Sequence, residues 1–542
     1  MMENTVCVLD CTLREAPIDD LMWGKLSILK TIHGLELAGV EIIEVGFLKN
    51  NAHKSGSTSF QKVEEIREFI KPKKKDVTYV ALVDYGRYNL DYLSPYDGTS
   101  IDAIRVCFKH SEIDQVLAYA QKIVDKGYKV CIQHVDTLGY SETEIVDFVN
   151  RVNDFMPFAY SIVDTFGAMY QRDMIRIAKL VDEKLDDQIK LGFHGHNNLM
   201  LADSNAQRFV EEIGNHREII IDSSLYGCGR SAGNAHTELI TQYLNSNFGC
   251  HYDIDELLDL IDVVISAARE KATWGYSIPY FIAGMYNAHT FNVNHLLRRH
   301  NIKSKDLRGI IEQLDSVQKK AYDYALLEKL YVDYFDNSVD DKEVIITLTN
   351  NLKGKNILVL APGPSVIKDK EVIINYIEKC NPVVIGINNI IEGYRFDYVF
   401  YSGALRYKNL QYQSYRNAGS PKIIVTSNIK ELADYNEMVI DYKSLIKFGW
   451  INIDSSAILL FRLLIKCGVY NISVAGLDGY SDKKQAFYSR ELDMNLSIND
   501  MVNNTKDNIS MLKDVQNECS QFNLNFITES IYKDCFKGGN NV

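Results

Sequence analysis

Short β-branched runs alternate with longer stretches of helical periodicity from residue 5 to residue 222. Period-two apolar runs predict strands at 5–9, 40–45, 77–83, 101–107, 128–134, 160–163, 190–194 and 218–222. Amphipathic stretches at 61–70, 112–126, 142–153, 172–184 and 202–212 predict helices between them. Eight strand–helix units in a row predict an α/β fold, a (β/α)8 barrel; a doubly wound open sheet is the competing arrangement. Residues 1–254 are therefore expected to form the barrel domain. Residues 255–335 then turn helical throughout, as in DELLDLIDVVISAAREKA and GYSIPYFIAGMYNAHTFNVNHLL, and predict a helical extension. The polar stretch 336–354 is expected to be a linker. At residue 355 the alternation restarts. NILVLAPGPSV, VVIGINN, FDYVFYS, KIIVTS, MVIDY and NISVAGLDG read as strands around helices at 368–379 and 455–467, predicting a second, Rossmann-like α/β domain over 355–542.

In a barrel the chemistry sits at the C-terminal ends of the strands. Polar residues gather there: Asp10, Thr12, Arg14 and Glu15 after the first strand, Glu44 in the second, Asp84 after the third, His134 ending the fifth and Asp164 after the sixth. Strand seven supplies His194 and His196, and strand eight leads to Arg230 in GCGRSAGNA. Residues two apart in a strand share a side, so both imidazoles of HGH can face one ion. Two surface histidines would give the same pattern, so the weight rests on the company they keep.

That company resembles a known family. LDCTLRE at 9–15, IIEVGF at 42–47, DTFGAM at 164–169, GFHGHNN at 192–198 and GCGRSAGNA at 227–235 look like the successive motifs of the DRE-TIM metallolyases, nearest to their 4-hydroxy-2-oxovalerate aldolase branch. The resemblance implies a divalent ion (Mn2+, Mg2+ or Co2+) on Glu15, His194 and His196, with Asn234 contributing. It implies Arg14 on an enolate oxygen, Glu44 as a neighbouring or proton-handling carboxylate, and Asp10, His134, Asp164 and Arg230 at the substrate. GYSIPYF resembles the segment that carries the aldolases' catalytic tyrosine, which implies Tyr280 as the acid on an aldehyde oxygen. A metal and a fixed guanidinium suit such chemistry because bond breaking beside a ketone places negative charge on oxygen. The chain departs from the family pattern in two places. LREA replaces the usual LRDG, and APIDD stands where a catalytic histidine is expected, leaving Asp19 or Asp20 either as its substitute or as a helix cap.

In the second domain APGPS is not a dinucleotide fingerprint, although backbone amides at such a turn can hold an anion. APGPS, GINN, FDYVF and AGLDGY are similar to sialyltransferase-like domains of bacterial surface-glycan enzymes. That similarity implies a nucleotide or nucleotide-sugar pocket at Gly363, Ser365, Asn388 and Asp478, and carbohydrate or surface-polysaccharide biosynthesis as the setting. A purely structural turn is the alternative.

Composition narrows the class. A net charge of -13 spread along the chain argues against nucleic acid as a partner. Ten cysteines lack any CxxC pair, and Cys7, Cys107, Cys131 and Cys467 fall in apolar runs, as reduced buried thiols do. MMENTVCVLD has no secretion signal, and no apolar run is long enough for a membrane span. The expectation is a cytoplasmic, homo-oligomeric lyase acting on a short 2-oxo acid and an aldehyde. A Claisen-type acyltransferase using acetyl-CoA, or a bifunctional aldolase and glycosyltransferase-like enzyme, are the other readings.

Overall fold

The computed structural model describes residues 5–15, 22–270, 272–299, 302–410, 421–432, 436–480, 487 and 498–536. The chain divides into two compact units, residues 1–293 with 314–322 and residues 294–313 with 323–542. The helical stretch after the barrel is thus shared between them. Among the described residues no helix is long and apolar enough to cross a membrane.

The first unit is an eight-stranded parallel barrel wrapped in helices. Its strands are β1 (Val6–Asp10), β2 (Ile42–Leu48), β3 (Ser59–Phe60), β4 (Thr78–Asp84), β5 (Ala103–Cys107), β6 (Lys129–His134), β7 (Ala159–Asp164), β8 (Lys190–Gly195) and β9 (Ile219–Ser223). They run in the order β1-β9-β8-β7-β6-β5-β4-β2, with the two-residue β3 paired to the outside of β2, and β1 pairs with β2 to close the ring. The seam is uneven: β1 pairs with β9 over five residues but with β2 over two, Leu9↔Ile42 and Asp10↔Ile43.

Strand alternation builds the interior in layers. Leu9, Ile42, Val80, Ala103, Cys131, Ala159 and Ile220 form an apolar floor. Two positions further along their strands, Glu44, Arg105, Gln133, Ser161 and Asp222 form a buried polar layer beneath the mouth. The intervening residues, such as Ile43, Ile104, Ile132, Tyr160 and Ile221, point outward into the helix layer. The helix Glu142–Phe155 is typical of that layer. Ser141 and Glu144 cap it reciprocally, and Ile145, Phe148, Val149 and Val152 form its buried stripe. Loss of such a cap costs about 1 kcal/mol.

Two expectations are corrected. Residues 61–70 do not form an α-helix; the 3₁₀ turn Val63–Glu65 continues as i→i+3 bonds, Ile66 to Val63, Arg67 to Glu64 and Phe69 to Ile66. The buried residues Val63, Ile66 and Phe69 repeat every three positions, which suits the tighter winding. The stretch 336–354 holds the helix Lys342–Leu352, because Leu348 and Leu352 lie one turn apart on a single buried face. All ten cysteines are free thiols, with Cys131 and Cys467 buried and Cys7 and Cys107 half-buried.

The second unit carries a seven-stranded sheet, β10 (Ile357–Leu360), β11 (Val383–Ile387), β12 (Tyr398–Tyr401), β13 (Lys422–Thr426), β14 (Met438–Ile440), β15 (Asn471–Ala475) and β16 (Asn523–Phe526). All neighbours are parallel, in the order β14-β13-β12-β11-β10-β15-β16. The order reverses between β10 and β15, the switch point at which open α/β sheets bind ligands.

Candidate metal centre at the barrel mouth

Glu15, His194 and His196 each offer one ligand atom, and these atoms lie within 4.8 Å of one another. Glu15 ends the short helix Thr12–Glu15 that follows β1, and the histidines come from the end of β8. Both imidazoles are oriented by hydrogen bonds at Nδ1. His194 meets the Asp222 carboxylate at 2.9 Å and His196 the main-chain oxygen of Asp164 at 2.9 Å. Each Nδ1–H donates, so each Nε2 is left with its lone pair for an ion. His194 Nε2 lies 3.9 Å from Glu15 Oε1.

The electrostatics agree. Burial pushes the Glu15 carboxyl up, but Arg14, His196, His194 and Arg230 outweigh it and bring the group down to about 2. Burial, then the neighbouring His194, lowers His196 to about 4, so it stays neutral. Asn234 is bridged to His196 through the backbone. Its Nδ2 donates to Cys228 O at 3.0 Å, while its buried Oδ1 has no hydrogen-bond partner among the described residues. A carboxylate, two imidazoles whose Nδ1 atoms are already engaged and an orphaned carboxamide oxygen are donors that suit an open, hard-to-borderline divalent site.

Arg14 lies alongside. Its Nε donates to Glu44 Oε2 at 2.7 Å and its Nη1 to Glu15, leaving Nη2 without a partner among the described residues. Glu44 Oε2 also accepts from Arg105 Nη1 at 2.9 Å. Arg105 Nη2 reaches Gln133 Oε1 at 2.8 Å and the Asp222 carboxylate that holds His194. Burial alone would raise Asp222, but Arg105 and then His194 hold it below the usual carboxylate range. Arg105, Gln133 and Asp222 escape a motif search. Their signal in the sequence is a charged or polar residue inside an otherwise apolar strand, AIRVC, KVCIQH or IIIDS.

Three of the expected substrate residues are occupied elsewhere. His134 belongs to the outward set of β6, where Gln133 points inward. Its ring packs among Phe108, Tyr140, Phe148 and Tyr160, its Nδ1 meets the Tyr160 hydroxyl, and burial lowers it to about 3. The Asp164 carboxylate accepts from Ala168 N at 2.8 Å and Met169 N at 3.1 Å and so shapes the DTFGAM turn; burial lifts it to about 7. Asp10 accepts from Thr12 N at 2.9 Å and from the Thr237 hydroxyl at 2.6 Å, and burial lifts it to about 6. Arg230 is exposed in the loop after β9 and acts electrostatically on Glu15. Asp19 and Asp20 lie outside the described residues.

Tyr280 is half-buried on the helix Ile278–Met285, one turn before Gly284 and on the same face. That face meets the mouth loops closely: a Cβ at Gly284 would stand 3.1 Å from Gly167 O and 3.1 Å from Asn198 Cβ.

Residues 24–264 match the HMGL-like family model. The match supports the superfamily that the motifs resemble. The chain is 26% identical over 201 residues to an oxaloacetate decarboxylase of Mycobacterium tuberculosis, covering 37% of this chain and 57% of that protein. It is 26% identical over 319 residues to 4-hydroxy-2-oxovalerate aldolase 2 of Comamonas testosteroni, covering 56% of this chain and 87% of the aldolase. Among solved structures, the HMG-CoA lyase of Brucella melitensis superposes with a TM-score of 0.38 at 15% identity, over 49% of this chain and 99% of the lyase. The HMGL-like match ends at residue 264, inside the helical stretch that follows the barrel.

In the second unit, Gly363, Ser365 and Asp478 meet at the switch point between β10 and β15. Gly363 N–H donates to Gly476 O at 2.9 Å, and a Cβ on Gly363 would stand 2.3 Å from that oxygen. Ser365 N–H donates to Asp478 Oδ2 at 2.8 Å and the Ser365 hydroxyl to Oδ1. The amide expected to hold an external anion is therefore bound to an internal carboxylate. Asn388, at the end of β11, donates to Ser456 Oγ at 2.8 Å, and its Oδ1 has no hydrogen-bond partner among the described residues.

Proposed function

We propose that the barrel makes or breaks a carbon–carbon bond beside the ketone of a short 2-oxo acid through an enolate whose oxyanion meets Arg14, at a site whose residues would hold a divalent ion. The observation that carries this is the Glu15–His194–His196 cluster with Arg14 beside it, one guanidinium nitrogen of which has no partner among the described residues. Charge supports it. Glu15, Glu44 and Asp222 outnumber Arg14 and Arg105 by one formal charge. A divalent ion would leave this cluster net positive, which favours an anionic substrate such as a 2-oxo acid. The names of the two relatives fit, since oxaloacetate and 4-hydroxy-2-oxovalerate are both 2-oxo acids whose cleavage passes through such an enolate.

In this reading Glu15, His194, His196 and Asn234 hold Mn2+, Mg2+ or Co2+, which supplies Lewis acidity when bound. Arg14 donates Nη2 to the developing oxyanion. Arg230 takes the substrate carboxylate, Glu44 handles a proton, and Tyr280 protonates the aldehyde oxygen. The second domain, in the same proposal, binds a nucleotide-linked sugar near Asn388, which would set the reaction in carbohydrate or surface-polysaccharide assembly. Because Asp478 already takes the Ser365 amide, the diphosphate of such a ligand would have to be held away from the APGPS turn.

The test needs no knowledge of the acceptor. Deuterium uptake into the methyl group of pyruvate, followed by proton NMR with Mn2+ present, reports enolate formation directly. Uptake that depends on the ion and on Arg14 is expected; no uptake with Mn2+, Mg2+ or Co2+ would overturn the reading.

A further inference from the structure

The polar layer of the barrel is physically expensive. A barrel interior is ordinarily filled with aliphatic side chains, as the floor here is, and burying ions costs several kcal/mol each before their attraction is counted. Yet Arg105 is 1% exposed, Glu44 0% and Asp222 2%. The two carboxylates of this layer lead to the candidate site. Glu44 Oε2 is shared between Arg105 Nη1 at 2.9 Å and Arg14 Nε at 2.7 Å. Asp222 Oδ2 is shared between Arg105 and His194 Nδ1, the latter at 2.9 Å. Gln133 Oε1, itself steadied by Nε2 on Ser161 Oγ at 3.1 Å, fixes the plane of the guanidinium. One rigid fork thus touches, through a single oxygen on either side, the imidazole that would bind the ion and the guanidinium that would meet the oxyanion.

We propose that Arg105 is a positioning residue that keeps the two halves of the site in register, His194 through Asp222 and Arg14 through Glu44. The inference rests on the proposed metal site. A planar guanidinium serves both carboxylates at once, whereas a lysine ammonium on the same stem is a point charge that satisfies one of them. Arg105→Lys keeps the charge balance of the layer and breaks one arm of the fork, shifting the other.

The experiment uses the full-length chain stripped of metal and titrated with Mn2+ by calorimetry, then assayed for pyruvate methyl exchange at saturating Mn2+. In Arg105→Lys, Mn2+ affinity is expected to fall roughly ten- to a hundredfold, the loss typical of an outer partner of a metal-binding histidine. Exchange at saturating Mn2+ is expected to fall roughly tenfold or more while KM for pyruvate moves less, because Arg14 is misaimed. The absorption bands of bound Co2+ should shift as well, which a purely structural role would not cause. Asp222→Asn, which touches one arm, should move Mn2+ affinity far more than exchange at saturation. Should Arg105→Lys fail to fold, the charge-neutral pair Arg105→Gln with Asp222→Asn takes its place, with the same losses expected. A folded variant with Mn2+ affinity, exchange and Co2+ spectrum all within twofold of the parent would overturn the role of Arg105 while leaving the metal site standing. A parent protein that binds no Mn2+ would overturn both.

Discussion

Replacing His134 by phenylalanine separates a packing role from a substrate role, and its consequence is a change in pH dependence. Burial among four aromatic rings lowers His134 to about 3 from the ordinary imidazole value of about 6.5, with His110 adding to the shift and Glu144 opposing it. The unfolded chain therefore binds a proton below about pH 6.5 that the folded chain refuses until about pH 3. The stability contribution is whole above the unfolded value and is lost as pH falls towards the folded one. At 1.36 kcal/mol per unit, the wild type should lose about 2 kcal/mol between pH 7 and pH 5 through this residue alone. The phenylalanine variant cannot lose it. Asp10 and Asp164, raised to about 6 and 7, act with the opposite sign, favouring the fold at low pH and losing that contribution as pH rises, but they are common to both proteins and cancel. The assay is urea unfolding at both pH values with Trp450 replaced by Phe, so that fluorescence reports only the barrel tryptophans Trp23 and Trp274. The gap between variant and wild type should shift by about 2 kcal/mol in favour of the variant at pH 5, with methyl exchange retained. A gap that does not change with pH, or loss of exchange in a folded variant, refutes the placement of His134 in the helix layer.

Other outcomes follow from the same geometry. The double variant Glu15→Ala with His194→Ala should retain its far-ultraviolet dichroism and lose stoichiometric Mn2+; one bound ion per chain would refute the ligand set. Arg14→Lys cannot serve Glu44, Glu15 and an oxyanion together, and should lower methyl exchange by at least about a hundredfold. Gly363→Ala drives a methyl group against Gly476 O, and should lower the stability of the second unit, read from urea unfolding, by about 1–3 kcal/mol without touching methyl exchange.

The barrel was legible because each strand repeats the same alternation, and because the residues that leave the strands upward, Glu15, His194 and His196, lie in local motifs. The polar layer was not. Arg105, Gln133 and Asp222 are one per strand, with no spacing relation between them until the sheet closes. His134 shows the converse error. A polar residue at the end of a strand was assigned to the mouth, but alternation from Gln133 sends it outward, and only the register of β6 decides which of two neighbours faces in. Asp10 and Asp164 do stand at the mouth, but backbone amides and the Thr237 hydroxyl take up their oxygens, a competition that spacing does not reveal. In the second unit the expected nucleotide pocket joins Gly363, Ser365, Asn388 and Asp478 from distant parts of the chain, and the Ser365 amide and hydroxyl are taken by Asp478, a pairing that the motifs do not reveal.

The short pairing of β1 with β2 gives Arg14 a second duty. Only two residue pairs hydrogen-bond that seam through the backbone, and Arg14, at the top of β1, reaches across it to Glu44 in β2. The residue proposed to meet the oxyanion is also a clasp on the ring. Amides on the two sides of this seam should exchange with deuterium sooner than those between β1 and β9, where five pairs hold. Any substitution of Arg14 then loosens the clasp as it alters the chemistry. If Arg14 acts as proposed, catalysis and closure of the barrel are not separately mutable at this position.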